Sequence, residues 1–529
     1  MKMQKTLIAL AIAGGSMFSG AASAVGYEVW VSDQTNSAGI SATNNNGTHG
    51  GFLRIFDGAA LDLNPNTATS TNLDTALLWP NALANTGSNA IRIHGMIPSP
   101  NHNYMAVSFV VSGHLGIVDA RTRTAVALFR TTGTANGNLD GAGAPISGST
   151  ATGRQNHLTL WSPDGKYMVI ANQNGKMLER VNVTWDNSGN ITAAVFDAAA
   201  SLDVVGGTGR ITAQPVADPS LPLGTVSGLV ADGQSRFGPD GVTYKQHATH
   251  RPNNAVICGG MASDNHTTFV TLAGGGLMAV DYTATPMRIV AIWDKAKFSA
   301  AGCGAAESGG WTWLNAGVYA SNVSSFVLYR MPTNWPSAPA YYPTNLPNPK
   351  VIYQDPTQGM TVAPNNAISG NNRDAHGFGL TASRTYLHQF DRVLNNVEVF
   401  HAGTGARNTY SLTTAGVCGT TQGANYDSAN PTVRVADGHP NAVPVYNDPS
   451  PDLLDLSPHG NRFYVALRGP NPLSVAHAAA GSCPGLGIVE LSSDGKSGVM
   501  THVIPATWLD NAGTTNIADP HAAIVRLKH

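Results

Sequence analysis

A short motif recurs seven times in this chain of 529 residues, each copy running toward a turn of the Ser-Pro-Asp-Gly kind. The copies are His94-Gly-Met-Ile-Pro-Ser-Pro-Asn101, His157-Leu-Thr-Leu-Trp-Ser-Pro-Asp164, Cys258-Gly-Gly-Met-Ala-Ser-Asp-Asn265 and Asn315-Ala-Gly-Val-Tyr-Ala-Ser-Asn322. His376-Gly-Phe-Gly-Leu-Thr-Ala-Ser383, Asp452-Leu-Leu-Asp-Leu-Ser-Pro-His459 and the truncated His521-Ala-Ala-Ile-Val-Arg-Leu527 complete the series. Their spacing averages about 70 residues, and such a period marks a fold built by stacking one supersecondary unit on the next. Four of the copies begin with histidine.

Most copies continue alike: a strand such as Tyr104–Val110, a third strand ending near aspartate such as Gly113–Asp119, and a fourth such as Ala125–Arg130. Short strands with regularly spaced turn signals read as four-stranded blades. At the N-terminus, 27–32 and 51–56 resemble second and third strands whose first strand is missing. At the C-terminus, 521–527 resembles a first strand with nothing after it. Pairing the two completes a blade and protects its edges. The expected fold is all-β: a seven-bladed β-propeller closed by pairing of the C-terminal strand with the N-terminal blade. It forms a single domain over 25–529, with long inter-blade loops.

The runs His94-Gly95, Ser99-Pro100, Ser162-Pro-Asp-Gly165, His376-Gly377 and Ser457-Pro458 resemble the YVTN-type and lactonase-like seven-bladed propellers. The likeness covers nearly the whole mature chain. It implies a fold more than a function, because that family spans enzymes, surface proteins and metal-site scaffolds.

The first residues read as a secretory signal: Lys2 and Lys5, an apolar stretch from Thr6 to Gly20, and the small-residue site Ala22-Ser23-Ala24. A periplasmic or secreted product beginning at Val25 is expected. No later segment is apolar for long enough to span a bilayer. Charged residues make up only 12% of the chain and the net charge is −2, so no phosphate-tracking surface is expected and nucleic acid is excluded as a partner. The four cysteines of an exported chain imply two disulfides, and proximity in sequence favours Cys258–Cys303 with Cys418–Cys483.

In a propeller the first strand of each blade faces the central channel, which brings His94, His157, His376 and His521 together with Cys258, Asn315 and Asp452. Imidazole-rich ligation suits copper, zinc, iron or nickel. The four histidines are therefore candidate metal ligands. Asp374, Asp452 and Asp519 are candidate catalytic acid–base groups or supports that orient the imidazoles. The arrangement resembles the copper-binding propellers of nitrous oxide reductase and thiocyanate dehydrogenase. It departs from the first in having no downstream cupredoxin domain. It departs from both in its smaller number of lead histidines, so loop residues such as His247, His250 and His439 would have to add ligands. The resemblance implies copper as cofactor, with other divalent metals open, and an oxidoreductase acting on a small-molecule substrate. Two alternatives stand beside it: histidines that merely hydrogen-bond a neighbouring blade, and a non-enzymatic propeller binding a protein, glycan or surface structure through its loops. Buried, connected histidines in the channel would favour the metal site.

Overall fold

The computed structural model describes residues 26–35, 50–135, 152–206, 208–233, 246, 249–317, 326–333, 347–355, 373–420, 422–435, 440–470, 472–473, 480–509 and 516–528. The expected leader lies outside them, as do His247 and His439. Apart from a few short helical turns, the regular structure is strand. Among the described residues no helix is long and apolar enough to cross a membrane.

Most strands assemble in chain order into antiparallel sheets of four consecutive strands, such as Ile93–Pro98, Tyr104–Phe109, His114–Asp119 and Thr124–Arg130, whose outer edge Val216–Ala217 extends. Further sheets start at Asn156–Trp161, Val256–Met261, Ala305–Ser308, Ala375–Leu380 and Pro451–Leu456. One sheet draws on both ends of the chain. Pro520–Leu527 pairs antiparallel with Tyr27–Asp33, setting Arg526 opposite Glu28 and Ile524 opposite Trp30. Phe52–Asp57 and Ser70–Asp74 extend that sheet outward. First strands of successive sheets lie against one another, and Pro520–Leu527 lies against both Pro451–Leu456 and Ile93–Pro98. This radial stacking is a β-propeller. It explains why second strands such as Tyr104-Met-Ala-Val-Ser-Phe109 are buried throughout instead of alternating: each face of the sheet meets a neighbouring sheet. Trp30 and Leu53 from one sheet, for example, share a core with Met105, Val107 and Phe109 of the next.

The repeated turn has a local cause. Ser162 Oγ accepts from Tyr167 N at 3.0 Å and donates to Asp164 Oδ1 at 2.7 Å, while Asp164 accepts from Lys166 N at 3.1 Å. Gly165 takes φ +73°, which a side chain would disfavour.

The lead residues sit on a backbone irregularity. Register against the second strand shifts between Ile93 and Met96, Asn156 and Leu158, Val256 and Gly259, Ala375 and Phe378, and Pro451 and Leu454. Opposite Pro520–Leu527 the shift falls between Ser32 and Asp33. Such bulges re-aim the extra residue's side chain and are common beside functional sites. A single backbone bond brackets each bulge, from the residue just beyond the second strand to the carbonyl two residues before the lead. It joins Val110 to Arg92 at 2.9 Å, Gln173 to Gln155 at 2.8 Å, Arg392 to Asp374 at 3.1 Å, Arg468 to Ser450 at 3.1 Å and Gln34 to Asp519 at 3.0 Å.

The same bond corrects the repeat alignment at two copies. It joins Ala273 to Ala255 at 3.0 Å and Gly317 to Ala301 at 2.9 Å, so the equivalent positions are Ile257 and Cys303. Cys258 is one residue past the expected place. Asn315 lies on the second strand of its sheet, Trp311–Ala316, whose first strand is the motif-free Ala305–Ser308. Both expected disulfides are present, Cys258–Cys303 and Cys418–Cys483.

The terminal strands are tied by a buried ion pair, Arg526 Nη1 to Glu28 Oε2 at 2.9 Å, with Trp30 Nε1 donating to the same oxygen at 2.9 Å. Replacing one partner of a buried pair strands the other charge. Arg526→Met is expected to lower stability by about 3 kcal/mol, the low end for such a loss because Arg123 still reaches Glu28 at 3.1 Å. Urea unfolding checks this, and a change below about 0.5 kcal/mol, the scale of an ordinary surface substitution, would contradict it.

Candidate metal centre

The bulges of the sheets led by His94, His157, His376, Asp452 and His521 deliver all five side chains to one buried cluster. None is more than 8% exposed, and Asp452 is fully enclosed. The imidazoles form a continuous row. His157 meets His94 with Nε2 atoms 3.2 Å apart. His94 stacks on His521 with ring centroids separated by 3.6 Å, and His521 meets His376 edge-on at 5.8 Å. His376 Nδ1 is paired with Asp452 Oδ1, and Asp452 Oδ2 lies 3.8 Å from His521 Nε2.

Two of the rings are held from behind. Gln34 reaches His94 Nδ1 at 2.9 Å, and His157 Nδ1 lies 3.3 Å from the disulfide sulfur of Cys258. His521 Nδ1 is buried and takes no hydrogen bond from the protein. The ligand atoms of His376, Asp452 and His521 all fall within 4.8 Å of one another. Imidazole binds first-row metals at about 2.0–2.1 Å, so this group needs only a small inward movement to share an ion.

Asp374 and Asp519, two residues before His376 and His521, do not touch the imidazoles. Asp374 Oδ2 accepts from Arg392 at 2.6 and 3.0 Å. Asp519 accepts from Arg468 at 2.6 and 2.8 Å and from Leu473 N at 2.7 Å. The two arginines converge in turn on Asp452, Arg468 at 2.7 Å and Arg392 at 3.3 Å. Of the three carboxylates expected beside the imidazoles, Asp452 alone contacts them, while Asp374 and Asp519 pair with the guanidinium groups that hold it.

Burial holds His94, His376 and His521 below the usual imidazole range, and pushes His157 down to about 3. Burial would raise Asp452, but His376, His521, Arg392 and Arg468 outweigh it and hold that carboxyl well below its ordinary value. At neutral pH the cluster is therefore a row of uncharged imidazoles beside an ionised carboxylate, and their lone pairs need not be freed from protons before an ion binds.

The loop histidine His250 pairs with Asp294 at 3.5 Å, more than half exposed, and adds nothing to the cluster. His114 is enclosed between Thr86 and Ser112, while His459 pairs with Asp62 at 3.1 Å. His102 caps the C-terminal strand by accepting from Leu527 N at 3.2 Å. Trp311 and Trp313 pack under the guanidinium of Arg330. The sequence reading missed Gln34, Arg392 and Arg468. They share one place, immediately after the second strand of their sheets, and comparing that position across repeats would have exposed them.

No family model and no curated protein matches the chain. Among solved structures, it is similar to the periplasmic gluconolactonase of Pseudomonas aeruginosa, with 11% identity, 95% of this chain and 99% of that one covered, and a TM-score of 0.46. The hypothetical selenium-binding protein of Sulfolobus tokodaii gives 10% identity, coverage of 96% and 94%, and a TM-score of 0.49. These likenesses assign neither a family nor an activity, and the functional reading rests on the site.

The depressed histidines make stability fall in acid. Unfolded His157 takes its proton near pH 6.5 and the folded one only near 3, so between those values the unfolded chain binds more protons. The slope reaches about 1.4 kcal/mol per pH unit for one such group. In metal-free protein, His157→Gln is expected to lose less stability than wild type between pH 7 and pH 4.5. Parallel urea titrations at the two pH values check this, and equal losses would contradict it.

Proposed function

We propose that the chain is an exported, single-domain, seven-bladed propeller, closed by its own terminal strands, whose channel binds a borderline transition metal. His376, His521 and Asp452 hold the ion, and the His94–His157 pair, stacked on His521, completes the donor set. The observation that supports this is the buried convergence of those three ligand groups at bulged positions, with neutral imidazoles and an unpartnered His521 Nδ1. Copper is the first candidate, because imidazole sites bind it most tightly among the divalent first-row metals. Bound there, it would supply one-electron chemistry to a small molecule entering the channel. The protein's own part is to hold the imidazoles neutral, to orient His376 through Asp452, and to exclude water from the cluster. Arg392 and Arg468 fix Asp452, and Asp374 and Asp519 fix those arginines.

Metal analysis of untagged protein, dialysed with and without copper, tests the reading. At least one equivalent of copper is expected, with affinity falling tenfold or more in His376→Ala and His521→Ala. Surface substitution of His250 should leave it unchanged. Folded wild type that retains no copper, or binding indifferent to both channel variants, would overturn the metal site and leave a loop-based binding protein as the better account.

A further inference from the structure

Beyond the cluster, the first strands turn apolar. A cavity of about 250 Å³ lies among them, lined by residues of every first strand, including Ile97, Leu160, Met261, Phe378, Leu454 and Ile524. It adjoins the cluster directly. Leu158 and Leu453 in its wall follow His157 and Asp452 in sequence. Cys303, also in the wall, has its sulfur within 4.8 Å of a His157 ring nitrogen.

The lining contains no charged, hydroxyl or amide side chain. The indole N–H of Trp161, the one polar side-chain group in the lining, already donates to Ile97 O at 3.2 Å. A dry cavity of about 150 Å³ lined by Leu, Ile and Phe is large enough for benzene, so this space accommodates a guest of one substituted ring. Met96 and Met261 add polarizable thioethers suited to aromatic edges. The side chains here offer a sugar or its lactone no hydrogen bonds, so its several hydroxyls would have only backbone groups to pair with, and each one buried unpaired would weaken binding.

We propose that this cavity is a binding site for a small, uncharged, apolar molecule of about one aromatic ring, held beside the histidine row. The proposal goes beyond the metal reading, because the lining needs no ion to take its guest, and it defines the class of molecule that the channel would present to one.

Toluene is the probe, added to metal-free and to copper-loaded protein, with binding read by calorimetry and by the shift in melting temperature. Saturable binding with a raised melting temperature is expected in both forms. Leu160→Trp and Met261→Trp, each filling the cavity from a different strand, should weaken it at least tenfold. If one variant fails to fold, the other decides. No toluene binding by folded wild type, unchanged binding by both folded variants, or equally tight binding of δ-gluconolactone would overturn the proposal. Because the metal-free protein is tested directly, loss of the copper result leaves this one standing, and the reverse holds as well.

Discussion

The site depends on one extra residue in the first strand of each sheet that supplies a side chain to it. A regular strand alternates its side chains, so a histidine facing the channel would be followed two residues later by another channel residue in strict register with the second strand. The bulge breaks that register where the lead residue stands, and the backbone bond beyond the second strand locks the break in place. In the sheets that carry the cluster, the bonds from Gln34, Gln173, Arg392, Arg468 and Val110 do this within 2.8–3.1 Å. A repeated structural irregularity therefore becomes a ring of converging side chains, and the chemistry is decided by which residue each repeat puts there.

What those residues are explains the rest of the centre. Enclosing Asp452 fully would be costly without partners, since a buried carboxylate must be paired and hydrogen-bonded to remain ionised. Arg392 and Arg468 supply that pairing, and each is itself fully buried. Their own charges require Asp374 and Asp519. The polar network thus grows outward from one carboxylate through two guanidinium groups to two further carboxylates, where Asp374 keeps one oxygen without a hydrogen-bond partner. It belongs to adjoining sheets whose first strands lie side by side, whereas the opposite arc of the channel, at Ile257 and Cys303, is closed by a disulfide and apolar side chains. The channel is consequently two-sided: polar along one arc of its histidine-bearing end, apolar in the cavity beyond.

Much of this was legible in the repeat. The four lead histidines and Asp452 came from aligning copies, and the terminal pairing came from counting strands. The alignment slipped where the motif decays. Gly304-Ala-Ala-Glu-Ser308 carries no lead histidine and no Ser-Pro-Asp turn, so the repeat pattern points instead to Asn315, which lies on the second strand. Cys258 was taken for a lead because it neighbours Gly259, although the bulge is anchored at Ala255. Gln34, Arg392 and Arg468 were hidden for a different reason. A polar residue after an apolar strand reads as an ordinary loop residue until its backbone bond shows that it faces the channel. The i, i+2 spacing of Asp374 and Asp519 suggested contact with histidine, but the bulge between them and the lead turns the two side chains apart and leaves the carboxylates to arginine.

The most direct test of the account is a crystal structure of the copper-loaded protein with diffraction recorded on both sides of the copper absorption edge. An anomalous peak within bonding distance of His376 and His521, beside Asp452, is the predicted result. Copper confined to surface groups such as His250 and Asp294, with none among the channel histidines, would contradict it and reduce the histidine row to a structural hydrogen-bonded chain.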